Sequence, residues 1–453
     1  MSQQAVADEL GVSQPAISQQ LHSAPDLGRL DAATALEAAA PVLKALAADH
    51  GFTRLAVFGS VARGDAGPAS DIDLLVQAPS GTSSFGRVSF QQLIEQVLGR
   101  VGNDPSRLKS RILKNNGILH RHYAIDPATG LPTHTTAGLA AEAIRAAMGA
   151  RGLGLDDIDL LACATSIPEH LMPGHASMVH GELGAAPCEI ASLHGVCSAG
   201  ISALKYATLA VKAGGARNAV VSGAERTSMV LRSGAFRAEL AARTLAEEED
   251  PYLGFNQEFL RWMLSDGAGA CVVQDRPRET GLSLKVEFVE LVSFANELPV
   301  CMYMGGDPTP SGGLVGWRDG ESMEAGIRGG VLNIHQDVKL LGKHIVNTCA
   351  RALDVVRKKH RFTADDATWF LPHYSSEFFR DKTHDALVQA GFEIPYERWC
   401  SNLVQRGNTG CASSLIMLDD FLASGRLQKG DGVVLLVPES GRFSCGWALL
   451  RAV

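Results

Sequence analysis

Two hydrophobic rhythms alternate along most of this chain. Short apolar runs have the length of strands, and longer stretches repeat an apolar residue every three or four positions, the spacing of helices. From about Asn103 to the C-terminus the alternation is nearly continuous. GAGACVV (267–273), WFLPH (369–373) and GVVLLVPESGRFSCGWALLRA (432–452) read as buried strand sequence. GVCSAGISALKYATLAVKA (195–213) and NTGCASSLIMLDDFL (408–422) start at Gly-framed turns and run on as helices. GGARNAVVSGAE, just after the first of these, reads as a turn and a buried strand. Alternation at this spacing predicts βαβ units and an α/β fold.

The first hundred residues have a different texture. SQQAVADELGVSQPAISQQLH (2–22) reads as two short helices parted at Gly11, with Ser13 placed to cap the second and Pro15 in its first turn. This helix-turn-helix-like segment, residues 1–22, carries no Lys or Arg. Phosphate contacts dominate nucleic-acid affinity, so nucleic acid is not an expected partner. LDAATALEAAAPVLKALAADH (30–50) keeps helical spacing apart from Pro41, which breaks it. LAVFGSV (55–61) and IDLLV (72–76) read as strands, 77–86 as a loop, and FQQLIEQVLGR (90–100) as a short helix. Residues 23–100 therefore read as a small α/β domain, followed by halves at 101–275 and 276–453.

Composition narrows the function classes. The 453 residues are 46% apolar and 20% charged, with a formal charge of −8 and a pI near 6.0. No basic face is available for nucleic acid or an anionic membrane. No apolar run approaches the roughly 20 residues that span a bilayer, and no basic region precedes an apolar core at the N-terminus. The expected location is cytoplasmic. The nine cysteines all follow residue 160 and form no CxxC pair, which fits reduced thiols rather than disulfides or zinc.

Two stretches carry candidate chemistry. In FGSVARGDAGPASDIDLLV (58–76), Gly59 and Ser60 follow a strand and let backbone amides approach a triphosphate, and Arg63 is a candidate for phosphate charge. Asp71 and Asp73, two apart on a strand, share a face suited to Mg²⁺. The stretch resembles the GSxARG…SDIDLLV segment of minimal nucleotidyltransferases over residues 40–100. That resemblance implies a nucleoside triphosphate and Mg²⁺ as cofactors. The third carboxylate these enzymes take from a following strand is missing, because VGNDPSRLK stands there.

The second stretch is HGVCSAGISAL. Cys197 lies where a Gly-flanked turn enters a helix, whose amides and dipole are expected to favour thiolate. His373 in LPHYSS follows a buried strand, and Asn408 in RGNTGCASS sits at a Gly-framed turn. Cys, His and Asn on three such turns suit a thiolate that accepts an acyl group, with two hydrogen-bond donors for an enolate oxygen. Taken with LGLDDIDLLACATSIPEHLMPGHASMVHGELGA, VVSGAERTS, LSDGAGACVV and SGRFSCGWALLR, these motifs resemble a ketoacyl synthase III-type condensing enzyme from about residue 101 to 453.

The resemblance implies the thiolase fold, two βαβ-rich halves layered αβαβα. It implies acyl transfer to Cys197, acyl carrier protein or acyl-CoA thioesters as partners, a homodimer, and no cofactor for condensation. It also implies an oxyanion site made by the backbone amides of Cys197 and Arg442. SRLKSRILKNNGILHRHYAID, THTTAGLAAEAI, WFLPHYSSEFFRDK and VPESGRF resemble the branch that makes cyclohexanedione precursors of dialkylresorcinols and stilbenes. There Glu225 is a candidate extra base for ring closure. The PHQANxR run of housekeeping synthases reads PHYSSEF here, which points away from CoA-primed elongation. Arg380, Lys382 and Arg406 are candidates for meeting an acidic carrier. The Gly-rich first strand of the family is absent before LGRVGNDPSR, so a fusion near residues 85–105 is expected. That join leaves the synthase body a strand short unless LAVFGSV or IDLLVQA substitutes.

Overall fold

The computed structural model describes the strand backbone at residues 53–58 and 73–77, and residues 94–95, 97–99, 115–236, 259–320 and 322–453 in full. The chain forms two compact units, Met1–Leu93 and Ile94–Val453. In the first unit, β1 (Thr53–Phe58) and β2 (Asp73–Gln77) pair antiparallel, with Phe58 opposite Asp73. Asp73 thus opens β2. The helix-turn-helix-like segment and Gly59, Ser60, Arg63 and Asp71 lie outside the described residues.

The second unit holds two four-stranded sheets. In the first, β3 (Leu160–Thr165), β4 (Glu189–His194), β5 (Ala219–Glu225) and β6 (Gly267–Val273) are ordered β4-β3-β5-β6. The first three strands are parallel and β6 is antiparallel to β5. In the second sheet, β7 (Leu284–Ser293), β8 (Trp369–Pro372), β9 (Gly432–Glu439) and β10 (Ser444–Ala452) are ordered β8-β9-β10-β7. Here β8 and β9 are parallel, and β10 is antiparallel to both its neighbours. The sheets share one plan, with β3, β5 and β6 matching β8, β9 and β10. A parallel bridge between Phe370 and Trp399 stands beside β8 where β4 stands beside β3. β7 has no counterpart, because among the described residues the first sheet ends at β6.

Six helices cover and separate these sheets. They are α1 (Thr136–Ala150), α2 (His175–Leu183), α3 (Ala199–Lys212), α4 (Val338–His360), α5 (Arg380–Gln389) and α6 (Ser413–Ala423). Their ends follow capping chemistry. Thr135 Oγ1 accepts the Gly138 amide at 2.9 Å ahead of α1, and an Asp337 carboxylate oxygen accepts the Leu340 amide at 2.8 Å ahead of α4. Arg357, Lys358, Lys359 and His360 crowd the last turn of α4, at the negative end of its dipole.

The strand periodicity explains the layering. Leu161 and Cys163 of β3 face Ile144, Met148 and Val179 of α1 and α2. The alternate residues Leu160, Ala162 and Ala164 join the core that holds Ile201 and Leu204 of α3 and Leu415 and Leu418 of α6. From the second sheet, Val433, Leu435 and Val437 enter that same central core, while Val434 and Leu436 join Leu341, Ile345 and Leu353 of α4 and Leu387 of α5. The layers therefore run α1/α2, sheet, α3/α6, sheet, α4/α5. This is the αβαβα arrangement expected from the resemblance. No described helix is long and apolar enough to cross a membrane.

Candidate active site

Two connections that leave the sheets, carrying Cys197 and His373, meet in one cavity, and Asn408 is held on a neighbouring turn. β4 ends at His194, and Gly195 and Val196 turn the chain into Cys197 and Ser198 before α3 begins at Ala199. The turn is closed by the Ala199 amide on the Val196 carbonyl at 3.1 Å. The parallel register of β8 and β9 extends one step past the strand, where the His373 amide donates to Leu436 O at 2.8 Å. His373 and Cys197 then line one cavity, with Leu341, Ile345 and Cys349 of α4 and Ser440 of the β9–β10 turn.

Asn408 arrives by a different route. Its amide donates to Met263 O at 3.0 Å and its carbonyl accepts the Ser265 amide at 2.8 Å, which ties it to the chain just before β6. Its side-chain oxygen accepts the Gly410 amide at 3.0 Å. That leaves the side-chain NH₂ as the end free to point away from the turn. The turn packs hard against α3. A Cβ on Gly200 of α3 would stand 2.2 Å from Cys411 O, and one on Gly223 of β5 would stand 2.9 Å from the same atom. Only glycine permits this approach.

Glu225 ends β5 fully buried. Its Oε1 accepts the Ser166 amide and the Cys411 amide, both at 3.0 Å, and also the Ser166 hydroxyl. Its Oε2 is buried without a hydrogen-bond partner. Burial raises this carboxyl above its ordinary range, against the lowering effect of Cys411 and Ser166.

The electrostatics of Cys197 reverse the expectation from its helix start. Burial pushes the thiol up, and the Glu439 and Glu225 carboxylates push it further. The thiol is therefore held neutral in the resting protein, and alkylation well below the ordinary thiol range is not expected. Burial also lowers His373 to about 4, which keeps its imidazole neutral. A neutral imidazole either donates or accepts a hydrogen bond at this position.

Other sequence candidates have local partners. Arg442 donates through Nε to Leu298 O at 3.1 Å, and its backbone amide points at the Glu439 carboxylate. Arg380 lies over the Tyr396 ring at 4.6 Å, and Lys382 over Phe378 at 3.7 Å. Arg406 pairs with Asp420 at 2.7 Å. The described part of FQQLIEQVLGR is helical and belongs to the second unit, where Ile94 and Leu98 are buried in the core beside α4.

Sequence reasoning missed Glu439, Ser166 and Cys411. Each lies next to a residue it did single out, yet none stands in a spacing that signals chemistry. Only the folded turns bring them to Glu225 and Cys197.

Comparison with known proteins agrees with this geometry. Residues 358–451 match the family described as 3-oxoacyl-[acyl-carrier-protein] synthase III, C-terminal part, and residues 41–109 match the nucleotidyltransferase domain. A β-ketoacyl-[acyl-carrier-protein] synthase III of Sphingopyxis alaskensis is 28% identical over 344 residues, covering 75% of this chain and 89% of that protein. One of Brucella suis is 29% identical over 342 residues, covering 75% and 90%. Among solved structures, a tetronic acid condensing enzyme, AbyA1, aligns with a TM-score of 0.58 at 20% identity, over 76% of this chain and 91% of its own. The 3-oxoacyl-[acyl-carrier-protein] synthase III of Aquifex aeolicus aligns at 0.55 and 20%, over 76% and 91%. Xanthomonas campestris OleA aligns at 0.54 and 20%, over 70% and 82%. The body of this chain has the synthase III-like thiolase fold.

Proposed function

We propose that this protein is a ketoacyl synthase III-like acyltransferase that joins two acyl thioesters through an acyl-enzyme on Cys197. The observation that carries the reading is the shared cavity of Cys197 and His373, each at the exit of a strand in a different half of the thiolase fold. The Cys197 sulfur attacks the first thioester carbonyl, its proton passes to the departing carrier thiol, and a new thioester holds the acyl group. A second thioester loses its α-proton, its enolate attacks that carbonyl to form the carbon–carbon bond, and the Cys197 thiolate that is expelled takes up a proton in return.

His373 and the side-chain NH₂ of Asn408 serve as donors to the enolate oxygen. Glu225, with one oxygen uncommitted, serves as the base of a later ring closure, which puts the product in the dialkylresorcinol class. The carrier is an acyl carrier protein or CoA, no cofactor takes part, and the protein works in the cytoplasm. It is a homodimer through β4, an edge of its sheet among the described residues. Exposed Ile190 on β4, and Tyr206 and Leu209 on α3, support this contact.

Mass spectrometry after incubation with a β-ketoacyl carrier protein tests the reading. An acyl adduct is expected on the wild type and not on Cys197→Ala; an adduct on both, or on neither, rejects it. The nucleotidyltransferase match at 41–109 supports a second reading, nucleotide transfer with Mg²⁺ at Ser60, Asp71 and Asp73. Transfer of AMP that disappears in Asp71→Ala would favour it.

A further inference from the structure

The turn between β9 and β10 encloses a carboxylate that the reaction above leaves unused. Glu439 is the last residue of β9 and faces Ser444, the first of β10, across the closing pair. Its Oε1 accepts the Gly441 amide at 2.6 Å and its Oε2 accepts the Ser444 hydroxyl at 3.1 Å. The amides of Arg442 and Ser444 also point at it. Convergent amides of this kind make an anion-binding turn. Here the anion is a side chain of the same hairpin.

That turn stands against the nucleophile. Pro438 and Ser440, on either side of Glu439, line the cavity with Cys197. A Cβ on Gly441 would lie 3.1 Å from Val196 Cγ2, next to Cys197 in the chain, and 2.4 Å from Glu439 Oε1. Ser444 Oγ lies 3.4 Å from Ser198 Oγ, the residue after Cys197. Cys301 holds the far side of the turn by donating its amide to Gly441 O at 2.8 Å. The titratable groups on which Glu439 acts are Cys197 and Cys301, and Glu225 also acts on Cys197.

We infer that Glu439 is a catalytic residue of acyl transfer, occupying the Gly441 and Arg442 amides at rest, yielding them to the thioester oxygen and taking up the Cys197 proton. The exchange balances in charge. Burial raises the Glu439 carboxyl against the lowering effect of the Gly441, Arg442 and Ser444 donors; with the carboxyl ionised, the resting turn holds one negative charge beside a neutral thiol. As the Cys197 sulfur bonds to the thioester carbon, the thiol proton moves to Glu439 and the negative charge moves to the carbonyl oxygen, which takes over the same amides. When the carrier thiolate leaves, it takes that proton back and the carboxylate returns to the turn. Cys197 stays unreactive until an acyl thioester is present.

This inference rests on the acyl-transfer reading, and Glu439→Gln separates the two. The variant keeps the side chain's shape and an oxygen for the turn, but it carries no charge and takes up no proton. With β-ketodecanoyl-N-acetylcysteamine as probe, acylation of Cys197 is expected to slow about 100-fold. Alkylation by iodoacetamide, which uses no carbonyl oxygen, is expected to become faster, with its pH midpoint moved downward. Glu439→Asp should recover part of the acylation rate. Slowing of both reactions, or of neither, would mean a structural role and overturn the inference. No adduct on the wild-type protein would instead reject the acyl-transfer reading itself.

Discussion

At Cys197 two physical effects compete, and sequence shows only one. The start of a long helix is visible in GVCSAGISAL and argues for a lowered thiol. The burial of the thiol and the approach of Glu225 and Glu439 depend on chain segments 28 or more residues away, and they dominate. His373 was legible because a His directly after a buried strand is placed by the strand's register. Its neutrality was not, since that comes from burial under α4. The lowered value, about 4 against the usual 6.5, links His373 to stability. The unfolded chain takes up a proton below about pH 6.5 and the folded one only near 4. The contribution is therefore present in full above 6.5 and declines as pH falls toward 4, by up to about 3 kcal/mol. Urea unfolding between pH 7 and 4 should show this decline, and His373→Gln should flatten it. An unchanged slope in the variant would assign the decline to other groups, such as His175, which burial also lowers to about 4.

At the scale of elements, strand sequence was read more accurately than the turns that finish it. GAGACVV matches β6 residue for residue, although its seven residues are half-buried rather than fully buried. NTGCASSLIMLDDFL reads as a Gly-framed turn at Asn408 that runs on into a helix, and α6 starts at Ser413 after that turn. Gly410 at φ +54 and the Asn408 side chain on its amide hold residues 408–410 out of the helix. The run 432–452 likewise splits into β9 and β10 around Phe443 at φ +59. Packing of α3 on the 410–412 turn is the contact that brings the Asn408 segment toward Cys197, and it has no room for a methyl group. Gly200→Ala should therefore destabilise the protein by about 3 kcal/mol, the upper part of the range for overpacking. Gly149→Ala, at the end of α1 with nothing within 4 Å, should be neutral or stabilising by up to about 1 kcal/mol. Urea midpoints of the two variants check this. Equal midpoints would mean that the α3 contact relaxes freely.

Across the whole molecule, the nucleotidyltransferase likeness runs past the boundary between the two units along the chain. The nucleotidyltransferase match runs to residue 109, but the second compact unit begins at Ile94. Within that match, Ile94 and Leu98 belong to the second unit and serve its core. Ile94 and Leu98 pack with Leu231, Trp262 and Met263. The fully buried Arg261 donates through NH2 to Gly99 O at 2.5 Å and Leu98 O at 3.5 Å, and through Nε to Leu231 O at 2.8 Å. Gly99 itself, at φ +79, lies where a Cβ would stand 2.2 Å from Ser233 Oγ. The composition break near residue 100 was legible, and among the described residues the first sheet ends at β6 with no counterpart of β7. Ownership of the helix at 90–100 was not legible, because an amphipathic run does not name the core it enters. Two truncations test that ownership. A chain beginning at Ile94 keeps the Arg261 acceptors and both apolar side chains, and should melt cooperatively close to the full-length protein. One beginning at Val101 strips two carbonyls from a buried guanidinium, a loss of about 3–5 kcal/mol. It should melt far lower or fail to fold, and indistinguishable thermal melts for the two would return the helix to the head.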